Sequence, residues 1–246
     1  MFDAAGRIHA RDVLIAHART DEQIAGAALV GSAARGDEDA WSDIDLVLQL
    51  APDADEPTVV DAWTRWIGDR LDLADTFDVV AGARYRVFLL TSSLQIDVSF
   101  WPYEEFRGTG ESFELIFGTA NPSSSPPPPD TGTLIGMGWL YALHARSAIA
   151  RGRLWQAVMM LDELRNQIIA LACIRVGLNP WHGREVDSLP AADQDALRRS
   201  RSADVTTGAL ERSKRLLIAQ FLAEVAHHDH ARAHALERPL GVLAEH

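Results

Sequence analysis

The chain has 246 residues, enough for one large domain or two modest ones, and its apolar share is ordinary for a globular protein. Its formal net charge of −12 argues against a nucleic-acid partner, which calls for a basic footprint, and suits a cationic small molecule drawn into an acidic cleft. The single cysteine, Cys173, excludes an internal disulfide and a thiolate metal cluster; no apolar run reaches membrane-spanning length and no signal-peptide pattern opens the chain, so a cytoplasmic protein is expected.

Apolar residues at helical spacing (Ile8, Val13, Leu14, Ala16) predict a helix over 5–19. Ile24 to Val30 is a short apolar run bounded by Gly31, and Ile44 to Leu50 is a second; both read as strands, the latter covered on both faces. Pro52 and Pro57 punctuate a loop, and 58–71 is amphipathic at helical spacing. Phe77–Ala81 and Tyr85–Leu90 read as strands around a turn at Gly82, followed by a strand over Leu94–Phe100. A proline- and serine-rich stretch follows, which forbids regular ladder bonding and reads as a linker over 121–132. Beyond it, 133–151, 153–176, about 190–200 and 205–236 carry helical spacing, with breaks at Pro180, Gly183 and Pro190. The expected fold is α/β (α+β): a mixed-sheet core over 1–120, then an all-α helical bundle over 133–246.

The segment between the first two strands carries the chemistry. It reads Gly31-Ser32, a polar spacer, then Asp43-Ile44-Asp45 opening the second strand. Residues i and i+2 of a strand share a face, so Asp43 and Asp45 project together while Ile44 enters the core. Carboxylates aimed at one point repel unless a cation lies between them, and Mg²⁺ favours a few carboxylates plus phosphate oxygens. Gly31 allows close backbone approach, and Ser32 offers a hydroxyl to a triphosphate. Arg35 is near enough to touch phosphate or to remain a solvated loop arginine, and Ser42 reads as a phosphate contact or a turn residue. Asp97, alternating with Ile96 and Val98, is a third acid that either completes a triad or pairs with Arg84 or Arg86. A triad would hold two Mg²⁺ ions around an in-line displacement.

Gly31-Ser32 followed by Asp43-x-Asp45 and Asp97 resembles the signature of the nucleotidyltransferase superfamily related to DNA polymerase β. The chain size and helical C-terminal half are closest to the small bacterial lincosamide and aminoglycoside nucleotidyltransferases. The resemblance implies transfer of a nucleoside monophosphate, AMP from ATP as the usual case, to a hydroxyl of a small, cationic antibiotic, with pyrophosphate released. The runner-up within the superfamily is an antitoxin that binds or modifies a partner protein. Some relatives complete their site across a dimer, so a homodimer is expected.

Three further features stand apart. On the helix over 153–176, Gln156, Glu163 and Gln167 form a solvent edge, while Asp162, Arg165 and Asn166 lie on a second arc. Asp162 and Arg165 either satisfy one another at i, i+3 or face a cleft and contact the substrate. His227, His228, His230 and His234 read as a His-rich surface helix rather than a metal site. Trp181-His182-Gly183 reads as a capping turn between helices.

Overall fold

The structure is a computed structural model that describes every residue except Met1, Gly82, Glu111, Pro126, His182 and His246. The turn expected at Gly82 and the centre of the Trp181-His182-Gly183 break therefore lie outside the described residues. The chain divides into two compact units, Met1–Pro126 and Pro127–His246.

In the first unit, Asp3 caps helix α1 (Ala4–Thr20) by accepting from the Gly6 amide at 2.7 Å. The two apolar runs become β1 (Ile24–Val30) and β2 (Ile44–Leu50), paired antiparallel with Ala28 opposite Val47. Between them Gly31–Arg35 is a single short helix, α2, rather than an irregular turn. Helix α3 (Glu56–Arg70) starts earlier than the proline pattern suggested: Asp55 accepts from the Thr58 amide, and Pro57 sits in the first turn, where its missing N–H has no intrahelical partner to lose. Then come β3 (Leu73–Ala81), β4 (Ala83–Leu90), β5 (Gln95–Trp101) and β6 (Phe113–Phe117). The sheet order is β3-β4-β5-β2-β1-β6; only β2 and β5 run parallel, so the sheet is mixed, as expected.

Helices α1 and α3 cover one face of this sheet. Leu14, Val60, Trp63 and Ile67 pack there against Leu46, Leu48, Ile96, Val98 and Phe100. Burying each such side chain contributes about 1.5–3 kcal/mol relative to exposure. The indole N–H of Trp63 donates to Asp21 at 2.9 Å, so its burial leaves no polar group unsatisfied. The opposite face carries a smaller cluster, Ala28, Val47, Ala83, Trp101 and Phe106, contributed partly by the segment after β5. The start of the proline-rich stretch is pinned to this unit: the Asn121 side chain donates to the Glu104 and Phe106 carbonyls, and the Ser124 amide donates to Gly108.

The second unit comprises, among the described residues, α4 (Thr131–Ala150), α5 (Leu154–Val176), α6 (Ala191–Ser200), α7 (Thr207–His228) and α8 (His230–Glu245). Its core joins Ala142, Leu161, Ile168, Leu217, Phe221 and Val225. The single helix expected over 205–236 is two helices. Asp229 leaves helical geometry and accepts from the Arg232 amide at 2.9 Å, capping α8 without help from glycine or proline. Arg175 on α5 ties Glu224 of α7 (2.7 Å) to Asp193 of α6 (2.8 Å). Lys214 is fully buried and paired with Glu211 at 2.6 Å. The solvent edge of α5 differs from the sequence reading. The exposed line is Trp155 (73 %), Met159 (64 %), Asp162 and Asn166, while Glu163 and Gln167 are half-buried. Helices α4 and α7 flank α5, and two large apolar residues remain on its outer line, which a polarity pattern assigns to the inside.

Candidate active site

Parallel pairing of β2 and β5 sets Asp45 directly opposite Asp97. Asp43, two residues before Asp45, comes to the same point, and one carboxylate oxygen from each of the three lies within 4.8 Å of the others. Ile44, Ile96 and Val98 point the other way and are buried in the helix-covered core, which fixes the direction of the acids. All three acids are half-buried. Burial, and then the neighbouring Asp43 charge, raise the Asp97 carboxyl above the ordinary aspartate range, while hydrogen bonds from Gln95 oppose the rise. The Gln95 side-chain amide donates to both Asp97 oxygens, at 3.0 and 3.2 Å.

The arginines that could have neutralised Asp97 are engaged elsewhere. Arg84 and Arg86 each meet Asp78 at 2.6 Å, and Arg84 also meets Glu56 at 2.6 Å. The triad is thus an all-oxygen donor set, and among the described residues no cationic side chain pairs with Asp97. Such a set fits a hard divalent cation such as Mg²⁺ rather than a thiolate- or imidazole-seeking metal. Among the described residues no second group of this kind occurs. His228 instead contacts the Leu171 carbonyl at 3.0 Å, and His234 contacts Glu237 at 3.3 Å.

Gly31 stands against this cluster. Its φ of +64° is left-handed, and a Cβ built there would fall on the Asp45 Oδ2. Glycine is needed at this position both for the backbone and for the room it leaves the carboxylate. Ser32 follows in α2 and is half-buried. Two other residues expected near phosphate have local partners: Arg35 meets Asp37 at 3.2 Å, and the Ser42 hydroxyl donates to Asp39 while accepting from the Asp39 amide.

Asp162 and Arg165 belong to the other unit. They form an ion pair, with Arg165 buried and also donating to the Ser200 carbonyl at 3.3 Å. Together with Arg201, Ser202, Asp204 and Ser213 they line a pocket of about 160 Å³. Cys173 is buried and its thiol is pushed up by burial, consistent with an inert core residue. Among the described residues no helix is long and apolar enough to cross a membrane.

Comparison with known proteins agrees with this geometry in one respect. Residues 13–117, which span β1 to β6, match the family model described as the nucleotidyltransferase domain. No curated protein matches the chain. Two solved structures resemble it weakly. An aminoglycoside 6-adenyltransferase from Bacillus subtilis aligns over 94 % of this chain and 96 % of its own, at 10 % identity and a TM-score of 0.42. A GLD-2/RNP-8 complex aligns over 88 % of this chain and 74 % of its own, at 15 % identity and a TM-score of 0.31. Both TM-scores are below 0.5.

Proposed function

We propose that this protein, a nucleotidyltransferase superfamily member with its nucleotidyltransferase domain in the N-terminal unit, moves a nucleoside monophosphate from a nucleoside triphosphate to a hydroxyl of a small acceptor. The observation that carries the proposal is the convergence of Asp43, Asp45 and Asp97 beside Gly31. On this reading Asp43, Asp45 and Asp97 would be the ligands of two Mg²⁺ ions, with Asp97 serving the acceptor side. When bound, the ions would neutralise the triphosphate and lower the pKa of the acceptor hydroxyl. Ser32 donates a hydrogen bond to the β- or γ-phosphate, and Arg35 exchanges Asp37 for phosphate. The hydroxyl gives up its proton to solvent as its oxygen bonds to the α-phosphorus, the bond to the bridging oxygen breaks, and pyrophosphate leaves in line.

Asp97 serves first as a ligand, because a carboxylate bound to a cation is a weak base. ATP is the proposed donor, from the resemblance of the signature residues. The acceptor is proposed as a hydroxylated, cationic small molecule of the antibiotic type, which the net charge of −12 would favour.

The test is the melting temperature with Mg²⁺ and each of the four nucleoside triphosphates, beside Asp45→Asn. A ligand at a hundredfold excess over Kd stabilises the fold by about 2.7 kcal/mol. The expected result is a metal-dependent rise with ATP that the variant loses. Pyrophosphate release with candidate acceptors then follows. Near-normal turnover in Asp43→Asn or Asp45→Asn would overturn the assignment.

A further inference from the structure

The sheet is amphipathic in the ordinary sense at its centre and in the reverse sense at one edge. In the outer parts of β3 and β4 a set of charged side chains faces helix α3. Asp78, Arg84 and Arg86 form an ion-pair network that reaches Glu56 and Asp61 on α3, and Arg86 also donates to Thr64 there. Phe88 and Leu90 of β4 still join the helix-covered core, while Phe77, Val79, Tyr85, Val87 and Leu89, with Asp75 beside Leu89, face the other way, onto the face that carries the triad. Register fixes this. Asp45 pairs with Asp97, Asp97 with Val87, and Val87 with Phe77, so these four lie in one row across the sheet. Tyr85 and Val79 form the next row, and Leu89 lies in the row on the other side.

Phe77 is 59 % exposed, Leu89 46 % and Val79 44 %, with Val87 and Tyr85 half-buried. Adjacent strands are about 4.8 Å apart, so the strip begins one strand from Asp97 and extends to about 10 Å at Phe77. A contiguous exposed apolar patch of this kind marks a binding surface more often than a chance of composition.

In-line displacement decides which substrate belongs there. The leaving pyrophosphate and the attacking hydroxyl must lie on opposite sides of the α-phosphorus. Gly31 and Ser32, the phosphate-side residues, flank Asp45 on the β1 side; Asp97 and the strip lie on the β4 side. We propose that the strip Val87, Phe77, Leu89 and Val79 seats the acceptor, which is therefore amphipathic: a hydroxyl at the triad and an aliphatic or aromatic face over β3 and β4. This assignment rests on the transfer reaction proposed above. Phe77 and Leu89 are then specificity-determining, and a uniformly polar polycation is a poor acceptor.

The experiment uses the full chain with labelled Leu and Val methyl groups, Mg²⁺ and α,β-methylene-ATP. The probes are octyl β-D-glucoside, below its micelle concentration, and methyl β-D-glucoside, which offers the same ring hydroxyls without the tail. The expected result is that the octyl compound shifts the methyl resonances of Val79, Val87 and Leu89 and the methyl compound does not. Phe77→Ser should weaken the response about tenfold, the scale of one lost apolar contact, with its nucleotide titration as the check on folding. With Mn²⁺ in place of Mg²⁺, the sugar protons should relax faster than those of the tail.

Four results would overturn the assignment: strip methyls unmoved while the nucleotide binds, movement with the nucleotide alone, movement on dilution of the protein, or faster relaxation of the tail than of the sugar. The second would give the strip to the nucleoside and the third to a second copy of the chain. Absence of nucleotide binding is a separate failure, that of the transfer reaction, and removes the acceptor assignment with it.

Discussion

Replacing Gly31 by alanine separates two roles that one residue carries. At φ +64° any side chain costs about 1–2 kcal/mol, because its Cβ crowds the carbonyl. Gly36 has nearly the same backbone, φ +72°, but nothing lies within 4 Å of a Cβ built there. Both variants should therefore lose about 1–2 kcal/mol in urea unfolding. Only Gly31→Ala also drives its new methyl into the Asp45 carboxylate, which must swing out of the triad. If that displacement weakens Mg²⁺–ATP tenfold, a ligand concentration that was a hundred times Kd becomes ten times Kd. The stabilisation by ligand then falls from about 2.7 to about 1.4 kcal/mol. The assay is urea unfolding of the wild type and both variants, with and without Mg²⁺–ATP. Gly36→Ala should keep the full ligand effect and Gly31→Ala about half of it or less. Equal ligand effects in the two variants would refute the link between Gly31 and the Asp45 geometry, and a Gly31→Ala protein as stable as wild type would refute the backbone argument.

Asp97→Asn should raise the melting temperature of the metal-free protein at neutral pH. The folded carboxyl holds its proton to higher pH than the unfolded one, so stability falls as pH rises through that window and stays lower above it; the asparagine variant lacks this loss. The difference should vanish in acid below the ordinary aspartate value, and a variant less stable than wild type at pH 7 in EDTA would contradict the sign. Arg175→Met leaves Glu224, whose side chain is only 7 % exposed, without its guanidinium and should cost about 3 kcal/mol in urea unfolding; a loss below about 1 kcal/mol would sink that reading. Lys214→Met should be the opposite case, because methionine fills the same buried space without a charge to desolvate. A stability within about 1 kcal/mol of wild type is expected, and a loss of 3 kcal/mol or more would show that the Glu211 pair is strongly favourable.

These contrasts trace what a sequence can and cannot carry. The two-residue spacing of Asp43 and Asp45 is a local property of a strand, so their common direction was legible. The placement of Asp97 opposite Asp45 depends on β5 pairing parallel to β2, a long-range choice that no local pattern encodes. The alternation Ile96-Asp97-Val98 gave the face but not the neighbour. Strand β6, Phe-Glu-Leu-Ile-Phe, escaped notice because five residues on a sheet edge show little alternation. The polar start of β3, Leu73-Ala-Asp-Thr, hid half of that strand for the same reason. The break at Asp229 was missed because aspartate starts helices as readily as it occupies their outer faces.

The apolar strip beside Asp97 shows the limit most directly. Read alone, Phe77-Asp78-Val79 and Arg84-Tyr85-Arg86-Val87 are strands with one polar and one apolar face, and the natural assumption sends the apolar face inward. The Asp78, Arg84 and Arg86 network reverses that locally, because α3 offers these positions Glu56, Asp61 and Thr64, while Phe88 further along β4 still packs inward. With the charges satisfied on the helix side, Phe77, Val79 and Leu89 remain exposed on the face that carries the triad. On the reaction proposed here, the same sheet row then orders the substrates from phosphate at Gly31, through the carboxylates, to an apolar acceptor body over β3. Charge and apolarity would divide the work of selection: the acidic surface concentrates cations at long range and is screened within about 10 Å at 0.1 M salt, whereas the strip acts only on contact. Raising salt should therefore slow capture of a cationic acceptor without changing which acceptors are preferred.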